Sequence, residues 1–392
     1  MQSSKDIFKL HQAQTFSYAS CLEIYSANGS YIYDVDGNRY LDFVAGVSAC
    51  TLGHSNPVVI NAVKAQLDKF THVMVYGEYV QSPQYRLAKL LSEQLPESLC
   101  TSYFVNSGAE AIEGAMKLSK RATGRSEIIS CKSSYYGSTH GALSIMGNES
   151  YKSNYRPLLS DCNQIIFNDI DSLKNISNKT AAVFVEPIQG ASGFIPADYE
   201  FLLQLRKKCD TTGSLLVFDE IQTGFGRLGT LFAFQHFNIV PDILCIAKGM
   251  GGGMPIGAFI SSFKLMNLFT HNPELGHITT FGGHPVNCAA SLSVLQYLLK
   301  TNLLNEIKDK EMLFRGNLVH PKIKEIRGIG LMLSIELDSE ALVKKVVDEA
   351  MKNNLLLFYF LFTKTSFRIT PPLTISNEEI IKGCKIIKRI LG

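Results

Sequence analysis

A chain of 392 residues has room for two domains, or for one large domain with an appendage. Its 46% hydrophobic and 19% charged residues describe an ordinary globular protein, and 38 basic against 35 acidic residues give no electrostatic reason for a nucleic-acid partner. The nine cysteines never approach C-x-x-C spacing, which argues against a zinc ribbon or a disulfide frame.

The N-terminus, MQSSKDIFKLHQAQ, has no apolar signal segment, and the longest apolar run, Leu355 to Phe362, falls short of the roughly 20 residues a membrane span needs. The expectation is a cytoplasmic protein with reduced cysteines and no membrane partner. Residues 22–43 read as a small hairpin turning at Asp36-Gly37-Asn38. Seven apolar runs then read as strands: Tyr103–Val105, Glu127–Ser130, Gln164–Phe167, Ala181–Val185, Ser214–Phe218, Ile243–Ile246 and Ile256–Ile260. Most are continuously apolar, as in strands covered on both faces of a mainly parallel sheet. Helical patterns such as Ala109–Thr123 and Tyr199–Cys209 separate them, so the fold class is α/β, doubly wound. After about residue 290 the chain turns helix-rich, with short strands at Leu331–Leu337, Leu355–Leu361 and Phe367–Ile369. This predicts a large domain over 50–290 and a smaller α+β domain built from 1–49 and 291–392.

Three strand ends carry candidate chemistry. Ser107 caps a helix, with Glu110 placed to complete a capping box, and a strand entering a helix N-terminus presents free N–H groups suited to phosphate; it also serves simply to start a helix. Asp219 ends the run Ser214–Phe218, either to meet a protonated ring nitrogen or to cap the next turn. Lys248 ends Ile243–Ile246 and precedes Gly249 and Gly251 to Gly253; a desolvated lysine there suits Schiff-base chemistry, and the glycines admit a ligand close to the backbone. Gly224-Phe-Gly-Arg-Leu-Gly229 matches the dinucleotide pattern literally, but no strong helix follows and the next acid, Asp242, belongs to another strand unit. A phosphate cup, a carboxylate and an amine together describe a pyridoxal phosphate site.

At these residues the chain resembles the class III, fold-type I aminotransferases of the acetylornithine, ornithine and 4-aminobutyrate group. The matching segments are Tyr40-Leu-Asp-Phe with Gly53-His-Ser-Asn-Pro57, Asn106-Ser-Gly-Ala-Glu-Ala111, Tyr135-Tyr-Gly137, Val185-Glu-Pro-Ile-Gln-Gly190, Phe218-Asp-Glu-Ile-Gln-Thr-Gly224, Ala247-Lys-Gly249, Thr279-Thr-Phe-Gly-Gly283 and Phe367-Arg-Ile-Thr-Pro-Pro372. The resemblance implies a transaminase moving an amino group from an ω-amino or acetylated diamino acid to an oxo acid through pyridoxamine phosphate. It implies that Lys248 holds the cofactor and shuttles a proton, and that Asp219 keeps the pyridine nitrogen protonated. Gln222 would bond the ring hydroxyl, Tyr135 stack on the ring, Glu186 belong to the cofactor site, and Ser107, Gly108 and Ala109 bind the phosphate. Arg368 would clamp a substrate carboxylate. Thr280 would reach the neighbouring subunit's cofactor, implying a homodimer. No metal is implied.

Two departures bear on substrate. Ser138 stands where such relatives carry a carboxylate-binding arginine, and Ala191 where they carry a glutamate that masks Arg368. These favour pyruvate over 2-oxoglutarate as acceptor and keep a pyruvate-using ω-transaminase in view. Further alternatives are an aminomutase, racemase or decarboxylase of the same fold, and a non-catalytic protein that retains the fold, against which Lys248 and Asp219 argue. An NAD-dependent dehydrogenase rests only on the rejected glycine pattern. His284 replaces the usual asparagine, and Tyr76 and Tyr79 are candidates for the substrate pocket or for the core.

Overall fold

The computed structural model describes residues 2–17 and 20–392. Seven strands, β1 (Thr101–Val105), β2 (Glu127–Cys131), β3 (Cys162–Ile165), β4 (Thr180–Val185), β5 (Leu215–Asp219), β6 (Ile243–Ile246) and β7 (Gly257–Ser261), form one sheet in the order β1-β7-β6-β5-β4-β2-β3. The pairs from β6 through β3 are parallel, and only β7 runs antiparallel to both its neighbours. The expected strand at Gln164–Phe167 lies two residues earlier, because Ile128 pairs with Cys162 and Cys131 with Ile165, leaving Ile166 exposed.

The continuous apolar runs follow from burial on both faces. Val183, Val185, Leu216, Phe218, Leu244 and Ile246 enter one core, while Ala182, Phe184, Val217, Ile243, Cys245 and Phe259 enter the other. This is the two-residue period of an extended chain. The helix Gly108–Thr123 covers the second face with Ala111, Ile112, Ala115 and Met116. Gly114 lets it approach the sheet, since a Cβ there would stand 2.2 Å from the Phe259 ring. The helix stops at Gly124, whose φ of 68° closes it in the left-handed conformation.

Both chain ends build further sheets. Ile24–Asn28, Tyr31–Asp34 and Arg39–Asp42 pair antiparallel, and Leu355–Leu356 adds a parallel fourth strand. A second sheet runs Ile323–Ile329, Met332–Leu337, Ser366–Ile369, Phe358–Tyr359. The apolar run Leu355–Leu361, expected as one strand, is therefore divided between two sheets at Leu357. The core is continuous from the large sheet into these ends: Phe43 meets Phe314 edge-on at 5.3 Å, and Leu331, Leu333 and Ile335 share a cluster with Val183. Among the described residues no helix is long and apolar enough to cross a membrane.

Candidate active site

Every parallel strand delivers its following loop to the same edge of the sheet, where ligands of α/β folds bind. Ser107 lies just beyond β1, and its Oγ accepts the Glu110 N–H at 3.2 Å. The Glu110 carboxylate closes on the Asn106 N–H (2.8 Å) and Asn106 Nδ2 rather than on Ser107, so the expected capping box is opened by one residue. The first N–H groups of a 16-residue helix, from Gly108 and Ala109, thus face the strand ends. Gly108 must be glycine, because a Cβ would sit 2.8 Å from Ile221.

Tyr135 and Glu186 follow β2 and β4. The buried Glu186 carboxylate accepts the N–H groups of Tyr135 (3.1 Å) and Gly190 (3.0 Å). Asp219, at the end of β5, accepts the Ile221 N–H at 2.9 Å through one oxygen. Burial pushes both carboxyls up; Asp219 also raises Glu186, while Lys248 pulls both back. Lys248 follows β6. Burial lowers its amine, opposed by the charges of Asp219 and Glu186, and Arg368 adds to the lowering. The lysine holds φ at 45°, a left-handed conformation unusual for a side chain this large and a form of strain that gathers at functional sites. The glycines beyond it make room for the protein's own side chains. A Cβ on Gly249 would meet Thr51 Oγ1 at 2.3 Å, and one on Gly252 would meet Val294 at 2.7 Å.

Gln222 Nε2 donates to Ser48 Oγ at 3.2 Å, and its Oε1 lies where a Cβ on Gly190 would intrude at 2.6 Å. Ser48 ends an unusual segment: Ala45, Gly46, Val47 and Ser48 have φ of 49°, 60°, 60° and 68°, one turn of left-handed helix. Such a turn costs roughly 1–2 kcal/mol per non-glycine residue, so it needs external support. Asp42 supplies it: Oδ1 accepts the Val44 and Ala45 N–H groups at 2.7 and 3.1 Å, and Oδ2 meets His54 Nε2 at 2.7 Å. The Asp42 contact is the chief reason the His54 imidazole is raised to about 10. Because the folded value lies above the unfolded one, this pair stabilises fully below about pH 6.5 and fades as pH climbs towards 10. Asp42→Asn is expected to cost about 2–4 kcal/mol at neutral pH and to flatten the alkaline decline in stability, read by denaturant melts between pH 6 and 10.

Arg368 comes from the C-terminal sheet, on Ser366–Ile369, and is 5% exposed. Its Nε donates to Tyr359 O at 3.0 Å, and its Cζ lies 4.7 Å from the Phe360 ring and 5.8 Å from that of Phe194. Burial lowers the guanidinium to about 10, so it stays charged at neutral pH. Arg227, inside the rejected dinucleotide pattern, is fully buried and donates to Leu331 O (3.1 Å) and Pro371 O (2.5 Å). It ties the loop after Arg368 to the turn before Met332, and Gly226 and Gly229, at φ of 89° and 91°, shape the bend that carries it.

The structure therefore brings Ser107, Gly108, Ala109, Tyr135, Glu186, Asp219, Gln222, Lys248 and Arg368 to one side of the sheet. Thr280 lies apart, on an exposed segment between Ile278 and Phe281, which are 47% and 54% exposed. Tyr79 is likewise exposed, and Tyr76 half-buried. His284 stacks on His72, centroids 5.3 Å apart and planes within 7°, an aromatic contact that asparagine could not make. Sequence reasoning missed Ser48, Phe194 and Phe360, which carry no motif of their own; the aromatic run at Phe358–Phe362 was the only available hint.

The group fits pyridoxal phosphate. A helix N-terminus suits its phosphate, the Asp219 oxygen not used by Ile221 suits a ring N–H, and the Lys248 amine suits its aldehyde. The profile of the family Aminotransferase class-III matches residues 15–391. The acetylornithine aminotransferase of Clostridium acetobutylicum is 39% identical, over 92% of this chain and 94% of its own. A [LysW]-aminoadipate semialdehyde/glutamate semialdehyde transaminase of Sulfolobus acidocaldarius is 38% identical over 81% and 82%. The ornithine aminotransferase structure from Toxoplasma gondii superposes with a TM-score of 0.90 at 29% identity, over 100% of this chain and 95% of that one. With the strand-end lysine, the carboxylate and the helix N-terminus all at one sheet edge, the chain belongs to the class III aminotransferases and is a pyridoxal phosphate-dependent transaminase.

Proposed function

We propose that this transaminase takes the ω-amino group of an acetylated diamino acid, or of a related ω-amino acid, and passes it to an oxo acid in two half-reactions. Arg368 carries the reading. A buried guanidinium that among the described residues bonds only a carbonyl and packs beside a pair of touching aromatic rings is a receptor for one substrate carboxylate. The acetylornithine and semialdehyde transaminases among its relatives support the ω-amine donor.

When bound, pyridoxal phosphate supplies an electron sink for the substrate carbon. The N–H groups of Ser107, Gly108 and Ala109 would hold its phosphate, Gln222 its ring hydroxyl, and Tyr135 would pack against the ring. Asp219 keeps the ring nitrogen protonated, with Glu186 fixing the Tyr135 and Gly190 backbone beside it. Lys248 would hold the cofactor's aldehyde carbon and serve as the proton carrier beside it; burial lowers its basicity, against the charges of Asp219 and Glu186. Thr280 serves the neighbouring site of a homodimer, supported by the exposed apolar side chains Val73, Val80, Ile278 and Phe281 on the segments around it. Residues 50–290 form the cofactor domain and 1–49 with 291–392 the smaller one, in a cytoplasmic enzyme.

Acetylornithine, ornithine and 4-aminobutyrate, each assayed with pyruvate and with 2-oxoglutarate, test this. Turnover is expected with pyruvate at least as fast as with 2-oxoglutarate, because Ser138 and Ala191 lack the charged groups that serve a second carboxylate. A strong preference for 2-oxoglutarate overturns the acceptor assignment, and no turnover with any ω-amine overturns the donor class.

A further inference from the structure

The positions that depart from the family pattern do not simply lose charge; they border a wall of aromatic side chains. The Phe362 N–H donates to Ala191 O at 3.1 Å, which pins that phenylalanine beside Ala191. The Phe362 ring lies 5.2 Å from that of Tyr151 and 6.4 Å from that of Tyr135. Tyr151 is held in turn by its hydroxyl on Leu361 O at 3.1 Å, and the Tyr135 hydroxyl meets Ser138 Oγ at 3.3 Å. Tyr135 and Phe362 are only half-buried and Tyr151 is 39% exposed, so the rings present faces to open space. None of these five side chains is basic.

This wall adjoins the reacting groups. Tyr135 is tied through its N–H to Glu186, whose carboxyl feels the charges of both Asp219 and Lys248. The segment that supplies Phe362 also supplies Phe360 beneath Arg368 and the Tyr359 carbonyl that orients its guanidinium. For a substrate with its carboxylate on Arg368, the Tyr135, Tyr151 and Phe362 rings offer an apolar surface on this side.

We propose that Tyr135, Tyr151, Phe362 and Ala191 form an apolar subsite for an uncharged aryl or acyl portion of the amine donor. The donor would then bear a single carboxylate, with a bulky apolar group in place of a second charge. The assignment rests on the transaminase reading and on Arg368 as the carboxylate receptor. A second carboxylate directed at this wall loses hydration with no cation among its side chains to meet it, the nearby Arg327 being paired with Glu325 and Glu336, whereas a phenyl ring gains contact area.

Calorimetric titration of the cofactor-loaded enzyme with three unreactive carboxylates, propionate, 3-phenylpropionate and glutarate, tests the subsite without turnover. Phenylpropionate is expected to bind about 10- to 100-fold more tightly than propionate, and glutarate no more tightly than propionate. Phe362→Ala should remove most of the phenyl advantage and leave propionate unchanged. Phe362→Leu, which keeps apolar volume and guards against misfolding, should fall between the two. Propionate binding that depends on Arg368 but gains nothing from the phenyl group overturns the subsite alone, as does tighter binding of glutarate. Failure of all three to bind overturns Arg368 as receptor, and with it the reading on which the subsite rests.

Discussion

Lys248→Ala is expected to abolish transamination, lowering kcat by at least about 10⁴-fold, because the same amine anchors the cofactor and carries the proton. Borohydride should bleach the visible band of wild type while fixing the cofactor covalently to it, and should fix none to the variant. A variant that retained borohydride-fixed cofactor would place the covalent link on another lysine. The substitution also has an electrostatic effect that needs no cofactor. Lys248 pulls the Asp219 and Glu186 carboxyls down, so its removal raises both further and leaves the buried pair more fully protonated at neutral pH. The fold should survive, since the alanine inherits the same left-handed backbone within rigid neighbours.

Asp219→Asn is expected to slow the first half-reaction by about 10³-fold while leaving cofactor in the site. An amide holds a neutral ring nitrogen as readily as a carboxylate holds a protonated one, so binding and chemistry should part company. Stopped-flow bleaching by an ω-amine measures the rate, and equilibrium dialysis the retention of pyridoxal phosphate. Removing the Asp219 charge also withdraws one influence that raises Lys248 and one that raises Glu186, so both groups should titrate at lower pH in the variant without cofactor. Wild-type rates in Asp219→Asn would show that another group keeps the ring electron-poor.

Local apolar patterning made the large sheet legible. Most of its strands were readable because burial on both faces leaves long runs without polar interruption, as in Thr180–Val185, whereas Cys162–Ile165, with Asn163 and Gln164 inside it, reads two residues late. The C-terminal sheet was harder. Ile323–Ile329 reads Ile-Lys-Glu-Ile-Arg-Gly-Ile, with apolar residues every third position, because a register shift between Ile323 and Glu325 breaks the two-residue alternation. Leu355–Leu361 looked like one strand because no residue in it announces a change of partner sheet. The site divided similarly. Lys248, Asp219 and Ser107 stand at strand ends, where position alone is informative. Ser48 was hidden, since nothing in Ala-Gly-Val-Ser marks a left-handed turn beyond its single glycine, and the local support from Asp42 is itself held by the more distant His54. Arg227 was masked by a glycine pattern that suggested a nucleotide, while its partners, Leu331 O and Pro371 O, lie far along the chain.

The order of strands in the large sheet governs how the active site comes into being. Val105, next to the phosphate cup, pairs with Gly257, and Lys248 follows the strand that precedes Gly257. The antiparallel strand β7 is the only bridge between β1 and the rest of the sheet. During synthesis β1 emerges early and must wait for β7 before it has a neighbour, and Arg368 arrives later still. Pairings so distant in sequence carry a large loop-closure entropy and fold slowly. The cup and the lysine are thus joined by a late, long-range event, which makes covalent capture of the cofactor a natural clock for refolding of the sheet.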